Sequence, residues 1–327
     1  MALTSDSPLL LVREMTKTAM MCDEFFTVVG YFYVGKVLLS LTITIFKEIK
    51  VRVYSAFFPV NLAAKYGKWA VITGATDGIG KAYAQEFARR GLSIYLISRN
   101  PVKLTRVANE IESEYGVTTR TLAVDFSEGR SVYDRIAKAL EEIQVGILVN
   151  NVGFLSERAG PVAYMTENDM WTVINLNCGA ATLMSKLVLP SMIEAKKGAI
   201  VNISSVAGMH PLPWLAVYSS SKAYLYYLSE ALRTECRSSG ITIQTVTPGY
   251  VKTNLISKAT LLSQGGISIP SPRRYARHAV ATLGVVDTTC GYWIHEFQLW
   301  FTNLFPRAII SELCLHVQKY VYKDASA

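Results

Sequence analysis

From Lys68 to about Tyr292, short apolar runs alternate with helix-length amphipathic stretches. Runs of strand length fall near 68–73, 93–98, 119–124, 145–150, 199–204 and 241–247, and the first helical pattern between them covers Lys81 to Arg90. This alternation predicts an α/β fold, a parallel doubly wound sheet covered by helices on both faces. Ligands in such sheets bind beyond the carboxyl ends of the strands. The chain shows no internal repeat and no low-complexity tract. Residues 255–295, with Gly265-Gly266 and Pro270-Ser271-Pro272, read as a substrate lid on a single domain spanning 66–327.

The N-terminal region, 1–65, has a different pattern. Phe25 to Phe46 is almost continuously apolar and would extend roughly 33 Å as a helix, against a hydrocarbon core about 30 Å thick. Lys36 interrupts it, and a lysine near the bilayer centre costs about 2.5–3.5 kcal/mol unless its stem carries the charge toward an interface. The segment therefore reads as a spanning helix, or else as an interfacial or re-entrant one. Lys47, Lys50, Arg52 and Lys65 follow it, whereas Arg13 and Lys17 precede it, which orients the catalytic domain to the cytosol. The start lacks the pattern of a secretory signal, and Glu14, Asp23 and Glu24 argue against a mitochondrial presequence.

The formal charge of +8 comes without a dense basic cluster or a nucleic-acid motif. It suits an anionic membrane face or an acidic cofactor better than nucleic acid. Five dispersed cysteines without a C-x-x-C pair fit a reducing compartment. Four scattered histidines indicate no metal site. The sequon at Asn202 ends a strand that feeds the expected site and is read as unmodified. The aromatic stretch Tyr292–Phe305 could line an apolar substrate tunnel or meet a membrane interface; a core helix or a homodimer contact is the alternative.

Chemistry concentrates at Tyr218 and Lys222, four residues apart and so on one face of a helix, with Ser205 thirteen residues upstream. A phenol ionises near pH 10, and an adjacent ammonium stabilises the phenolate, which makes the pair a general acid/base. Upstream, the run Lys68–Thr73 leads into Gly74-Ala75-Thr76-Asp77-Gly78-Ile79-Gly80 and then a helix. A glycine turn opening a helix suits a pyrophosphate, which the first N–H groups and the helix dipole attract. About twenty residues further on, Ser98 and Arg99 stand where a carboxylate would select NAD. They suit the 2′-phosphate of NADP, although a solvated arginine would look the same in sequence.

Thr73-Gly74-x-x-x-Gly78-x-Gly80, Asn150-Asn151-Val-Gly153, Asn177, Ser205, Tyr218-x-x-x-Lys222 and Pro248-Gly249 occur in the order and spacing of the short-chain dehydrogenase/reductase superfamily. The resemblance covers about 66–300. Within that superfamily the chain resembles the membrane-associated branch of the 17β-hydroxysteroid dehydrogenases types 3 and 12 and, more closely, the hydroxysteroid dehydrogenase-like proteins. Lys65–Ala70, Thr76–Tyr83, Gly146–Gly153 and Ser221–Leu225 carry this closer likeness. Some members of the subgroup are regarded as inactive because phenylalanine replaces the tyrosine; here the tyrosine is present.

The resemblance implies a Rossmann-type sheet, NADP(H) as cofactor, and an apolar ketone/alcohol substrate, either a steroid or a long-chain 3-oxoacyl-CoA. It also implies an endoplasmic reticulum membrane with a cytosolic catalytic domain, a mitochondrion being the alternative. By resemblance Gly74, Thr76, Asp77, Gly78, Ile79 and Gly80 border the cofactor, as do Asn151 and Gly153. Asp125 contacts adenine, and Pro248, Gly249, Val251 and Thr253 hold the nicotinamide end. Lys222 binds the nicotinamide ribose, and Asn177 holds a water linking Lys222 to solvent, with Asn175 two residues away as the competing assignment.

Overall fold

Strands β1 (Trp69–Thr73), β2 (Ser93–Ser98), β3 (Thr119–Ala123), β4 (Val145–Asn150), β5 (Gly198–Ile203), β6 (Ile241–Val246) and β7 (Thr288–Thr289) form one parallel sheet. Their spatial order is β3-β2-β1-β4-β5-β6-β7. The computed structural model describes residues 7–58, 60–156, 160–254 and 266–321. Along β1 the side chains alternate between two cores. Ala70 and Ile72 enter one and Val71 the other, as the two-residue period of a strand requires. The register pairs Ile72 with Leu96 of β2 and with Val149 of β4.

Helices α3 (Gly78–Arg89) and α4 (Pro101–Tyr115) cover the first core. Helix α4 buries Leu104, Val107, Ala108 and Ile111 at spacings of three and four, the stripe a 3.6-residue period produces. Asn100 caps its start by accepting the Lys103 N–H at 3.0 Å, and Gly116 ends it in the left-handed conformation. Helices α5 (Val132–Leu140) and α7 (Ala180–Ala195) cover the second core through Val132, Ile136, Met184, Val188 and Met192. A further helix, α8 (Ala216–Glu235), packs against β6 and β5.

The chain starts at β1 in mid-sheet, winds out to β3, then returns beside β1 as β4 and winds the other way. The order reverses between β1 and β4, so the loops after these strands diverge and leave a crevice at their carboxyl ends. The glycine turn follows β1 and Asn151–Gly153 follows β4, so both expected cofactor segments lie at that switch point.

Two boundaries differ from those read in the sequence. The chain divides into compact units 1–49 and 50–327, so residues 50–65, expected with the N-terminal segment, belong to the larger unit. The cause is burial of Val51, Leu62 and Tyr66 in that unit, with α2 (Leu62–Tyr66) capped by Asn61. The expectation of a lid over the whole of 255–295 also fails. From Pro272 onward this stretch is core: α9 (Pro272–Ala281) buries Tyr275, Ala276, Ala279 and Val280, and β7 adds a seventh strand. Each large apolar side chain so buried contributes about 1.5–3 kcal/mol, which opposes lid-like opening. Residues 255–265 lie outside the described residues.

Helix α1 (Ser7–Phe57), which lies in the N-terminal unit as far as Ile49, is long and apolar enough over Val12–Ser55 to cross a membrane, and side chains such as Phe25, Phe32 and Leu39 are exposed. It is compatible with a membrane segment. A second apolar helical stretch, Glu167–Ala195, is 29 residues long against 44 and buries one face in the sheet core.

Candidate active site

Asp77 starts α3. Its side chain accepts the Gly78 N–H at 2.7 Å, which sets the helix three residues earlier than the apolar pattern suggested. Gly74 adopts φ +65°, and a side chain there would also crowd Val152 Cα at 3.1 Å. Asn151 bridges back to this turn, donating from Nδ2 to the Thr73 carbonyl at 2.9 Å and the Gly74 carbonyl at 3.2 Å. The Thr73 hydroxyl accepts the Asn151 and Val152 N–H groups at 3.0 and 3.1 Å. The ends of β1 and β4 are thereby held in one rigid cradle. The Thr76 and Ser98 hydroxyls lie 3.0 Å apart, tying the turn to the end of β2.

Beyond Ser98 a cavity of about 440 Å³ is lined by Arg99, Asn100, Asp125, Glu128 and Arg135, among others. Arg99 is exposed. The Asp125 carboxylate accepts the Ser127 N–H at 2.9 Å and the Ser127 hydroxyl at 2.8 Å, capping a short helical turn. On the other side of the cradle, Thr253 approaches Gly78, and Asn254 donates to the Asp77 carboxylate at 2.6 Å. Val251 is buried in the first core and Ile79 packs against it, so these two act through backbone and packing.

Ser205 ends the segment after β5 in extended conformation. Its hydroxyl accepts the Ala207 N–H at 3.1 Å and lies 3.4 Å from the Pro248 carbonyl. The following turn, Val206–Gly208, packs directly on α8. A Cβ at Gly208 would come within 2.7 Å of Ala223 N and the Lys222 carbonyl carbon, so this close approach requires glycine. Ser204 adds a hydroxyl bond to the Lys222 carbonyl at 2.6 Å.

Tyr218 and Lys222 lie one turn apart on α8, with Lys222 Nζ 5.8 Å from the centroid of the Tyr218 ring. Lys222 is almost wholly buried and donates to the Ile203 carbonyl at 3.1 Å. Burial lowers its pKa to about 8, because removing water disfavours the charged form. At neutral pH the group is still mostly an ammonium.

Asn177 lies on a π-helical segment, Ile174–Gly179, between α6 (Glu167–Val173) and α7. Its Oδ1 accepts the Phe154 N–H at 2.7 Å, and its Nδ2 donates to Phe154 O at 3.1 Å and Ser221 Oγ at 2.9 Å. A Cβ built on Gly153 would meet Asn177 Oδ1 at 3.3 Å and Lys222 Nζ at 3.4 Å. Of the two asparagines considered, Asn177 is the fully buried one, and it faces Gly153 together with Lys222; Asn175 is half-buried.

A second cavity, about 220 Å³, opens beside Tyr218 and is lined by Leu155, Pro161, Met165, Val173 and Trp214, among others. Trp214 holds φ +68°, a conformation that costs a non-glycine residue on the order of 1–3 kcal/mol. Its carbonyl accepts the Gly160 N–H at 3.0 Å. Sequence reading passed over Trp214, Ser204 and Gly208. A tryptophan between Pro213 and Leu215 carries no motif, and the other two act through backbone contacts.

The residues present fit a dinucleotide. The β1–α3 turn offers glycine backbone at a helix N-terminus, Gly153 sits against Lys222 Nζ, and Arg99 stands at the far end. Among the described residues, no group of three or more His, Cys, Asp or Glu is placed to hold a metal.

Comparison with known proteins places these features in context. The chain is 43% identical over 306 residues to the human protein named "Inactive hydroxysteroid dehydrogenase-like protein 1", covering 92% of each chain. It is 42% identical over 259 residues to the very-long-chain 3-oxoacyl-CoA reductase of Anas platyrhynchos, covering 78% of this chain and 81% of that one. Among solved structures it resembles a short-chain dehydrogenase from Sphingobium yanoikuyae in complex with NADPH, with TM-score 0.62 and 30% identity over 68% of this chain and 86% of that chain. The sequence pattern of the short chain dehydrogenase family matches residues 68–261. Since that match runs from β1 through the helix carrying Tyr218 and Lys222 to the loop after β6, the chain belongs to the short chain dehydrogenase family.

Proposed function

We propose that the protein is an NADP(H)-dependent oxidoreductase that interconverts a ketone and a secondary alcohol on an apolar substrate. The observation that carries this reading is the buried Lys222 ammonium 5.8 Å from the Tyr218 ring, on a helix fastened to the Ser205 turn. Bound NADPH would supply the hydride in the direction of reduction. Tyr218 donates its phenolic proton to the substrate oxygen, or accepts it back during oxidation. Lys222 favours the phenolate by charge attraction and hydrogen-bonds the cofactor ribose. Ser205 orients the substrate oxygen by a hydrogen bond. Asn177 holds the loop at Phe154 and supports a water-borne proton path from Lys222.

NADP is favoured over NAD by Arg99 in the cavity beyond Ser98. The substrate is a steroid or a long-chain 3-oxoacyl thioester, and the apolar lining beside Tyr218 supports either. Exposed apolar side chains along α1 support membrane attachment. The matching location is the endoplasmic reticulum with the catalytic unit in the cytosol, a mitochondrial membrane being the alternative.

A second reading, a catalytically idle lipid-binding or scaffold protein, is favoured by the word "inactive" in the name of the human relative. The intact Tyr218 argues against it. The deciding experiment is NADPH oxidation by the purified full-length protein against ketosteroids and 3-oxoacyl-CoAs in parallel. Turnover of either class supports the enzyme. Tight NADPH binding without turnover of any of them supports the scaffold.

A further inference from the structure

His295 lies fully buried on α10 (Trp293–Thr302), outside every motif that marks the family. Its Nδ1 accepts the Gly249 N–H at 3.2 Å. A ring nitrogen that accepts carries no proton, so the neutral imidazole holds its hydrogen on Nε2. Nε2 then donates to the Ser268 carbonyl, 3.2 Å away. Both nitrogens are committed, one to the loop after β6 and the other to the segment that leads into α9. The ring packs so closely on Gly249 that a Cβ there would lie 2.9 Å from His295 Cδ2.

The two tethered segments also meet directly, through the Lys252 N–H and the Pro270 carbonyl at 3.0 Å. Next to Gly249, the Pro248 carbonyl accepts the Val206 N–H at 3.0 Å and faces the Ser205 hydroxyl at 3.4 Å. Further along, Thr253 reaches Gly78 at the start of α3. The loop 248–253 thus touches the serine turn at one end and the glycine turn at the other, and His295 grips it at Gly249. Behind the imidazole, the Tyr275 and Tyr292 rings lie 6.0 and 5.3 Å away and hold it in place. The neighbouring Glu296 carboxylate is turned to the Cys290 N–H at 2.6 Å and the Thr289 hydroxyl at 3.0 Å.

We propose that His295 is a positioning residue for the cofactor: its imidazole clamps loop 248–253 to segment 266–270, so that the loop is shaped before the dinucleotide arrives. This rests on the reading of that loop as the wall of the nicotinamide end. Without the imidazole, the half-buried Gly249 N–H loses its acceptor, and the loop is no longer held against the helix that carries residue 295. NADPH binding then has to include the ordering of the loop, and affinity falls.

The test is amide hydrogen exchange on the cofactor-free full-length protein, followed by NADPH titration of the same preparations. His295→Phe keeps ring bulk and removes both hydrogen bonds. It is expected to raise exchange at 248–253 and 266–270 on the order of tenfold or more, leave β4 and β5 protected, and weaken NADPH binding on the order of tenfold. Unchanged loop exchange and unchanged affinity overturn the inference.

If His295→Phe does not fold, the pair His295→Asn and His295→Gln decides. Asn places its Oδ1 where Nδ1 stood and can accept the Gly249 N–H, whereas Gln places its amide where Nε2 stood and cannot. Asn must therefore protect 248–253 better than Gln, and equal protection overturns the inference. Exchange is read without cofactor, so the two ideas fail separately. A wild type that binds no NADPH rejects the proposed activity and with it a cofactor role for the clamp, whatever the exchange shows.

Discussion

Ser204 donates its hydroxyl to the Lys222 carbonyl at 2.6 Å, which joins the residue before Ser205 to the helix that bears Tyr218 and Lys222. Nearby, the absence of a side chain at Gly208 lets the same segment rest on the α8 backbone. Gly208→Ala is expected to destabilise the unit 50–327 by about 1–3 kcal/mol, the range for inserting a methyl where backbone cannot yield. Ser204→Ala should cost about 1 kcal/mol, one hydrogen bond. Urea unfolding of the two variants measures both, and a neutral Gly208→Ala would show that the turn can lift from the helix.

Tyr218→Phe removes the hydroxyl assigned to proton transfer and leaves the ring in place. Turnover of a found substrate is expected to fall by about 10²–10⁴ with NADPH affinity retained. Steady-state kinetics beside NADPH titration will separate the two effects, and near-normal turnover would remove Tyr218 from the chemistry.

The reduction rate should decline at alkaline pH. Burial lowers the Lys222 pKa to about 8, so the ammonium that attracts the phenolate is present below that pH and is lost as pH rises through it. The descending limb of a kcat/KM profile with a ketone substrate is expected near 8. A profile flat to pH 10 would mean that the lysine charge contributes nothing to the step.

Arg99→Ala should weaken NADPH binding more than NADH binding, because Arg99 is assigned to the 2′-phosphate. Charge-assisted bonds of this kind contribute about 1.5–3 kcal/mol. Titration with both cofactors checks this, and an equal loss for the two would assign another residue to the phosphate.

Acid should destabilise the unit 50–327 before its carboxylates titrate. His210, His278 and His295 are all held below the ordinary histidine value by burial, with Arg307 near the first and Arg52, Arg274 and Arg277 near the second adding repulsion. Their folded pKa values are depressed, so their contribution is present above the unfolded value of 6.5 and is lost as pH falls through the folded values. The urea midpoint is expected to drop between pH 7 and pH 5. An unchanged midpoint over that window would mean that these rings take up protons equally well in both states.

Much of this protein was legible along the chain. Strands β2 and β4 occupy the spans read from the pattern, and the other four expected strands agree within one residue at either end. Periodicity reports burial face by face, and a strand buried on both faces carries a continuous apolar run, so 93–98, with its run 94–97, and 145–150, with its run 147–149, declared themselves without tertiary information. The two-residue β7 could not do so, since Thr288–Thr289 is polar and becomes a strand only by pairing with Thr245 and Val246.

The sequence by itself determined which side chains can perform chemistry. Tyr218 and Lys222 share a helix face because four residues make about one turn, and the glycine turn after β1 is local backbone geometry. Long-range packing alone decided which of two asparagines faces Lys222, that the chain from Pro272 onward joins the core, and that His295 holds Gly249 across 46 residues. A local pattern specifies a helix or a turn. Contacts between distant segments depend on how the sheet winds, and no spacing in the chain encodes them.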